Sequence, residues 1–388
     1  MSERLVRAAL SRVVEPGLWP VHDAVLDHGA AAVLAALSAG QRIGEVSEST
    51  AQGAQLRSAG LDPAADLIRL AEAGGRLVLP GDEEWPGHRL TWPRTGSLPA
   101  PPLSLYVRGE LALAEVVERS VSLVGARACT AYGDRVTGEL AIGLTDRGWT
   151  VVSGGAYGID AAAHRGALAS GRGPTVAVLA CGVDVAYPRG NDRLLARIGQ
   201  QGLLVSEHGP GATPTRLRFL VRNRLIAALS LGTVVVEAAL RSGSLSTAGR
   251  ARDLQRHVMA VPGPVTSALS AGCHALLREP DSHLVAGVRE VLALVGRLGT
   301  DDAAPERGPV RARDALPEAV RRILDAVPVR GGAGEATLAR DAGLPVLVVQ
   351  QVMPPLLVAG LVQRAETGWR LTALGAERPA ARRMTEDG

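Results

Sequence analysis

The sequence predicts an α/β protein built on a Rossmann-like, doubly wound parallel sheet, with a small helical domain before it and a winged-helix domain after it. Three observations lead to this fold class. Short β-branched runs alternate with helical stretches through the middle of the chain, glycines punctuate an Ala-rich N-terminal segment, and a polar stretch with Pro and Gly precedes a helix-rich tail. Alternating strands and helices require right-handed crossovers, which cover both faces of a parallel sheet with helices.

The N-terminal segment, residues 1–75, is expected to be a helical domain of the SAM-like type. Ala30–Leu37 is rich in alanine and Pro63–Ala73 is amphipathic, and glycines separate the helical segments. The following stretch, Leu79–Tyr106, contains six prolines, and proline interrupts a helix. We therefore expect an extended connector, over residues 76–110, at the start of the central domain.

The central domain, residues 76–298, contains six apolar runs with the length and β-branched content of buried strands. These runs are Val121–Val124, Thr150–Val152, Thr175–Leu179, Leu203–Val205, Thr233–Val236 and Val258–Val261. The segments between them have helical spacing: Tyr132–Arg147, Ile159–Ala169, Asn191–Gln200, Arg216–Leu229 and Leu245–Arg256.

The C-terminal part is expected to comprise a linker, a winged-helix-like domain and a disordered end. Residues 299–313 are polar, with Pro and Gly, which is typical of a linker. Three helices and a small hairpin predict the winged helix over residues 314–375, and residues 376–388 are expected to be disordered. The predicted elements are one helix at Pro317–Ala326, two short helices within Glu335–Ala359, and a hairpin of Leu361–Ala365 and Trp369–Leu371.

Composition limits the class of protein more than it identifies a function. The net charge is only +3, and all of the basic residues are arginine, whose planar guanidinium can bind phosphate through two hydrogen bonds or stack on a base. Three distant cysteines form neither a disulfide framework nor a metal cluster. A signal peptide and a membrane-spanning run are both absent from the sequence, so we expect a cytoplasmic protein without a membrane partner, metal or cofactor.

Unusual residues follow the predicted strands, where open parallel sheets bind ligands. Gly125-Ala126-Arg127 follows the first strand, and a loop with three glycines, Ser153–Gly158, follows the second. Such a loop can direct backbone amides at an anion, and a helix start lies directly after it. A phosphate site and a tight turn without a ligand are both compatible with this loop.

The basic charge is concentrated between Pro214 and Gly263, with eight arginines against two acids. Arg222, Asn223 and Arg224 lie close to Phe219, the only phenylalanine of the chain. Arginine beside an aromatic ring is typical of a surface that binds single-stranded nucleic acid. Phe219 considered alone is expected in the core, but the cluster as a whole favours a binding surface.

A third segment, Ser242–Thr247, contains small hydroxyl residues around Gly243 at a predicted helix start. Ser242, Ser244 and Thr247 can cap the helix or bind an anion there.

Catalytic candidates are weaker. His164, Asp160, Asp184 and Glu237 provide acid and base groups, but His164 follows Asp160 by one helical turn, a spacing that a structural hydrogen bond also explains. We expect no enzymatic step.

Nine motifs, in this order, resemble the DprA (Smf) family of DNA-processing proteins. They are PGDEEWP, LYVRG, VSLVGAR…YG, VVSGGAYGIDAAAH, AVLACGVDVAYPRGN, LLVSEHGPG, FLVRNRLIAALS, VVVEAALRSGSLSTA and VMAVPGP, and they extend from about residue 80 to residue 264.

The resemblance implies a protein that binds and protects single-stranded DNA, forms a homodimer through its Rossmann-like domain and loads the recombinase RecA during natural transformation. It also implies where the DNA binds: the contacts would come from Arg127 and from three segments. These segments provide Ser153, Gly154, Gly155, Tyr157 and Gly158, then Phe219, Arg222, Asn223 and Arg224, then Ser242, Gly243, Ser244 and Thr247. Two positions depart from the family pattern, since Tyr157 replaces an arginine and Leu220 replaces a proline.

Two alternatives belong to other functional classes. A nucleotide-binding or nucleoside monophosphate-hydrolysing enzyme of a related fold would use Glu237, although Leu231-Gly232-Thr233 lacks the glycine pair of those enzymes. A regulator would bind duplex DNA through Pro345–Ala359, but this helix has no cation and is a poor major-groove reader. We expect the tail to make protein contacts or to pack.

Overall fold

The computed structural model describes residues 1–297, 301 and 316–376, and the chain forms two compact units that divide between Ala303 and Ala304. The predicted linker over 299–313 and the predicted disordered end over 376–388 lie outside the described residues, apart from Asp301 and Ala376. The N-terminal helices and the sheet belong to the same compact unit.

Five helices open the first unit and pack around their own apolar cluster, which contains Leu10 and Leu37. Helix starts follow the capping chemistry of the sequence: Asp62 accepts a hydrogen bond from the amide of Ala65 at 2.9 Å, and Pro63 occupies the first helical turn. The helices are α1 Glu3–Val13, α2 Trp19–His28, α3 Ala30–Ser38, α4 Glu48–Ser58 and α5 Pro63–Glu72.

A nine-stranded sheet forms the centre of the first unit, and seven of its strands are parallel. The six predicted strands all lie among these seven. The strands are β1 Gly75–Val78, β2 Leu105–Arg108, β3 Ser120–Val124, β4 Thr150–Ser153, β5 Thr175–Val178, β6 Leu203–Ser206, β7 Gly232–Val235, β8 His257–Ala260 and β9 Ser282–Leu284.

Strands β1 and β2, which the sequence did not predict, add an antiparallel edge to β6. The sheet is therefore mixed rather than fully parallel. Residues 79–104, all of which the structure describes, connect these two strands through turns and extended chain, as the prolines predict.

Helices cover both faces of the sheet, over three apolar clusters that include strand residues. The helices are α6 Leu113–Glu118, α7 Ala131–Thr145, α8 Ile159–Ser170, α9 Asp192–Gln201, α10 Arg216–Ala228, α11 Gly243–Asp253, α12 Ala271–Leu276 and α13 Val288–Val295. The strand order is β1-β2-β6-β5-β4-β3-β7-β8-β9, so the chain proceeds outward from β3 in one direction and then returns to the other side of β3 at β7. The carboxyl ends of β3, β4 and β7 therefore surround a topological switch point, the usual ligand position in such sheets.

The second unit has its own apolar core, which includes Ile323, Met353 and Trp369. Its elements match the predicted helices and hairpin: α14 Glu318–Ala326, α15 Glu335–Ala342, α16 Val346–Val358, β10 Val362–Ala365 and β11 Gly368–Leu371. Among the described residues, no single helix is long and apolar enough to cross a bilayer, and only α15 and α16 taken together, with a bend of 108° between them, reach that length and composition.

Candidate nucleic-acid interface

A groove of about 800 Å³ lies at the switch point of the sheet. Residues from the loops after β3, β4, β5 and β7, from several turns of α10 and from the start of α11 line it. Four arginines and one acid are among these residues: Arg127, Arg216, Arg222, Arg241 and Asp160. The groove is therefore cationic although the chain as a whole is almost neutral.

The glycine loop after β4 is held in place by hydrogen bonds to other groups of the protein. Gly155 and Gly158 have φ values of +69° and +73°, the left-handed torsions that the glycines predict. The amides of Gly154 and Ala156, however, donate to the Asp160 carboxylate at 3.2 and 3.3 Å. Two of the amides that were expected to bind a phosphate thus already have an anionic partner.

Ser153 does not reach the groove surface either. Its side chain is fully buried, and its hydroxyl donates to the Leu123 carbonyl at 2.6 Å. Ser153 therefore supports the loop from below and is not positioned to touch a ligand.

Arg222 is nearly buried and fastens the same loop from α10. Its guanidinium donates to the Gly154 carbonyl at 2.8 Å and to the Val178 carbonyl, while its Nε has no partner among the described residues. Burial lowers the pKa of Arg222 to about 10, and burial also raises the pKa of Asp160 although the nearby Arg222 opposes that rise. Arg222 and Asp160 shape the inner wall of the groove together.

Arg224 does not belong to the groove, in contrast to the expectation from the sequence. Its side chain is fully buried and its guanidinium donates to both oxygens of Glu207, at 2.6 and 2.7 Å, and to the Ala100 carbonyl at 2.8 Å. This arginine holds α10 to the connector and to the end of β6. The Arg224 side chain is therefore not accessible to DNA.

Asn223 links the two helices that border the groove. It is mostly buried, and its Nδ2 donates to the Gly243 carbonyl at 3.4 Å, in the first turn of α11. The residue lines the groove and also fixes the start of α11 relative to α10.

Aromatic side chains gather at one end of the groove. The Phe219 ring is half-buried there rather than in the core, which corrects the expectation for Phe219 alone. The Arg127 and Arg222 guanidinium carbons lie 5.2 and 5.6 Å from its centroid, and the Tyr187 ring centroid lies 5.8 Å away. Tyr157 is 47% exposed beside them, and its hydroxyl accepts a hydrogen bond from the Gly190 amide at 3.2 Å. These rings and cations together can stack bases.

Two helix N-termini line the groove. Ser242 caps α11 by accepting from the Ser244 amide at 3.3 Å, as its sequence position predicts, and Thr215 caps α10 by accepting from the Arg218 amide at 3.3 Å. Helix starts carry partial positive charge, so both favour a phosphate nearby. Ser244 and Thr247 are buried, and Gly243 is exposed.

Several groove residues lie outside the set of DNA contacts that the resemblance implied, among them Thr215, Arg216, Arg241 and Tyr187. Arg216 and Thr215 mark a helix start beside an arginine-rich segment, which was a usable signal. Tyr187 follows a predicted strand and precedes Pro188, but only the fold shows that it meets Phe219.

The four acid–base candidates have separate structural partners. His164 contacts Thr175 at 2.8 Å, both Glu237 oxygens accept hydrogen bonds from Thr130, and Asp184 accepts from the Gly211 amide at 2.8 Å. His164 thus bonds to Thr175, which corrects the expected hydrogen bond to Asp160. Within the described residues, no three His, Cys, Asp or Glu side chains lie close enough to share a metal ion.

Gly158→Ala is expected to destabilise the first unit by at least about 2 kcal/mol, because a side chain is strained at φ +73°. A Cβ there would also lie 2.2 Å from the Ala126 carbonyl oxygen. Urea unfolding measures the loss. Gly138→Ala is the matched control, since its Cβ meets open space within α7 and alanine favours a helix. Equal stability of the Gly158 variant and the wild type would contradict the strain argument.

Comparisons with known proteins show the family. A family model described as DNA recombination-mediator protein A matches residues 76–296. A putative DNA processing protein DprA from Mycobacterium tuberculosis is 44% identical over 383 residues, which cover 97% of this chain and 96% of that protein. Protein Smf of Escherichia coli is 38% identical over 276 residues, which cover 69% of this chain and 71% of that protein.

A solved structure shows the same fold. The X-ray structure of DNA processing protein A (DprA) from Streptococcus pneumoniae matches with a TM-score of 0.61 and 31% identity, over 76% of this chain and 99% of that one. The match includes the mixed α/β architecture and its large, mostly parallel sheet. The chain belongs to the DprA/Smf family of DNA-processing proteins, whose family model is that of a DNA recombination mediator.

Proposed function

We propose that the protein is a recombination mediator that binds single-stranded DNA in the switch-point groove. The observation that carries this proposal is the combination of four arginines, two helix N-termini and an aromatic cluster around one groove. Phosphates of a strand would lie against Arg127, Arg216 and Arg241, which are exposed. Bases of the same strand would stack on the rings of Tyr157, Tyr187 and Phe219.

The structure supports a smaller set of DNA contacts than the sequence does. Arg224 and Ser153 are buried behind other groups, and the Gly154 amide is already bonded to Asp160. Arg222 and Asn223 act mainly by holding the walls of the groove in place. The proposed phosphate contacts are therefore the exposed arginines and the starts of α10 and α11.

The recombination steps beyond DNA binding are proposed on the family assignment. A recombination mediator protects single-stranded DNA and loads the recombinase, so we propose RecA as the protein partner, a homodimer as the working form and the cytoplasm as the compartment. No enzymatic step is proposed, because each acid–base candidate is bonded to a structural partner.

The C-terminal unit is proposed to be a winged-helix-like module that contacts protein rather than duplex DNA. Helix α16 corresponds to the recognition helix of such a module, and its thirteen residues include no charged side chain. A major-groove reader needs cations or hydrogen-bonding side chains aimed at base edges. The exposed side chains of α16 are mostly apolar, such as Leu347 and Val358.

Fluorescence anisotropy with labelled oligo-dT across a salt series tests the proposed groove. Wild-type protein is expected to bind the strand more tightly than a duplex, with log K falling by about 0.7 per phosphate contact for each tenfold rise in salt. Arg127→Ala and Arg241→Ala are each expected to weaken binding roughly ten- to a hundredfold and to reduce the salt slope. Both side chains are exposed, so the fold should survive their loss.

Arg172→Ala is the matched control, because this exposed arginine lies between α8 and β5, toward the amino ends of the parallel strands, whereas the groove lies at their carboxyl ends. Arg222 and Arg224 are unsuitable probes, since their loss would disturb buried contacts before any DNA contact. If the wild type bound neither strand nor duplex, or if the Arg127 and Arg241 variants bound as tightly as the control, the proposed function would be wrong.

A further inference from the structure

A line of exposed arginines leads away from the aromatic end of the groove. Arg189 lies in the 3₁₀ turn Arg189–Asn191, and Arg193 and Arg197 follow it on α9. All three side chains are exposed, and within the described part of the chain none of these guanidinium groups has an ion-pair or hydrogen-bond partner. We define this set as the arginine stripe. Exposed cations without an acidic partner create a positive potential that attracts an anionic ligand.

The spacing of the arginine stripe is regular. Arg193 and Arg197 are four residues apart, so they share one face of α9 and are separated by about 6 Å along its axis. Leu195 and Ile198 are buried and belong to the apolar cluster under the helix. Four residues also separate Arg189 from Arg193. Successive phosphates of an extended single strand have a similar separation, so the stripe matches a line of phosphates.

The start of the stripe is attached to the groove. The Asn191 side-chain amide donates to two carbonyls of the glycine loop, at 3.0 and 3.1 Å, and the Gly190 amide donates to the Tyr157 hydroxyl at 3.2 Å. Tyr187, which lines the groove, precedes Arg189 by two residues. The stripe therefore begins where the aromatic end of the groove stops.

Helix α9 carries the stripe away from this end. It connects β5 to β6, which are parallel neighbours, so it runs from the carboxyl edge of the sheet back to the amino edge. We propose that the arginine stripe binds the phosphates of single-stranded DNA that has left the groove past Tyr187. The inference rests on the proposed function and extends the path of the strand by about three phosphates, over the outer surface of α9.

The composition of α9 indicates what kind of contact this is. The segment from Arg189 to Gln201 contains three arginines and one acid, Asp192, whose carboxylate accepts a hydrogen bond from the Arg193 amide at 2.6 Å. It contains no aromatic residue, so it can bind phosphates but cannot stack bases. The contact is therefore electrostatic and independent of base sequence, and it is made only by a strand long enough to extend beyond the groove.

Fluorescence anisotropy of the full chain with oligo-dT strands of about 4 to about 16 nucleotides, across a salt series, tests the stripe. For the wild type, the slope of log K against log salt should be steeper by about 2 for the longest strand than for the shortest strand that binds, since each phosphate contact adds about 0.7. Arg193→Ala/Arg197→Ala is expected to bind the longest strand about tenfold more weakly, with a slope smaller by about 1.4. Its affinity for the shortest strand should equal that of the wild type.

Arg135→Ala/Arg147→Ala is the matched control, because it removes two exposed arginines from α7 and its C-terminal end, and α8 lies between that helix and α9. A slope that does not change with strand length, or a stripe variant that binds the longest strand as tightly as the control, would overturn the inference and leave the proposed function in place. Equal weakening for all lengths would also overturn it, because the stripe would then act on the shape of the groove. If the wild type bound no strand of any length, the proposed function would be wrong together with the inference.

Discussion

Arg224→Ala is expected to lower the free energy of unfolding of the first unit by about 3–5 kcal/mol. The substitution leaves the Glu207 carboxylate, whose side chain is only 6% exposed, without the guanidinium that now donates to both of its oxygens. It also removes the bond from Arg224 Nε to the Ala100 carbonyl. Urea unfolding of the variant beside the wild type measures the effect.

Two controls separate a buried charge from ordinary loss of an ion pair. Arg165→Ala removes a pair with Asp134 in which both side chains are 53% exposed, so its cost is expected to stay below about 1 kcal/mol. Arg224→Met combined with Glu207→Leu removes both charges and should recover much of the stability lost in the single variant. If Arg224→Ala cost no more than Arg165→Ala, the pair would not support the fold as argued.

The same arginine shows where sequence reasoning succeeds and where it ends. Arg222 and Arg224 are neighbours in the sequence and were assigned to one surface. Successive helical residues turn by about 100°, so these two side chains leave α10 about 200° apart. One side chain then reaches the groove wall while the other points into the protein. The partner of Arg224, Glu207, lies on a different element, and the linear sequence gives no direct sign of their pairing.

Six of the seven parallel strands were predictable because each is a short β-branched run bounded by glycine or polar residues, and burial on both faces demands that composition. The seventh, β9, was not predicted, because it has only three residues and they are half-buried or exposed. Strands β1 and β2 were not predicted, because each has only four residues and borders the proline-rich stretch that lies between them. The hydrogen bonds that hold the glycine loop in place were not predicted, for a different reason. The glycines of the loop predict its backbone torsions correctly. The sequence does not show, however, that the loop amides donate hydrogen bonds to the Asp160 carboxylate, because that contact is visible only in the three-dimensional structure.

Mild acid is expected to destabilise the first unit through two buried imidazoles. Burial lowers the pKa of His164 to about 3 and that of His208 to about 4, from 6.5. The unfolded chain therefore binds protons at a pH where the folded chain does not. The contribution of the two neutral imidazoles to the free energy of unfolding is fully present above about pH 6.5. It is lost as pH falls, by about 1.4 kcal/mol per pH unit for each imidazole. At pH 5 the two losses together reach about 4 kcal/mol.

The contacts of His164 explain why its charge is excluded. The Thr175 hydroxyl donates to the Val151 carbonyl at 2.8 Å, so it accepts the proton of His164 Nδ1 at 2.8 Å. His164 Nε2 is then the unprotonated nitrogen, and it is buried without a partner among the described residues. A second proton would therefore create a buried cation with no acceptor, close to the positive Arg222.

Urea unfolding at pH 7, 6 and 5 tests the prediction through the slope of the unfolding free energy against pH, rather than through its value at any one pH. His164→Gln should flatten the decline by about 1.4 kcal/mol per pH unit below pH 6, and His208→Gln should do the same. His28→Gln is the control, because that imidazole is exposed to solvent in the folded chain as well. Asp160 acts in the opposite direction: its pKa is raised by burial, so protonation returns stability as pH falls. The pH dependence of the wild type's unfolding free energy thus combines opposing contributions, and the change of slope in the histidine variants isolates the contribution of the imidazoles. An unchanged slope in both variants would show that neither imidazole excludes its proton on folding.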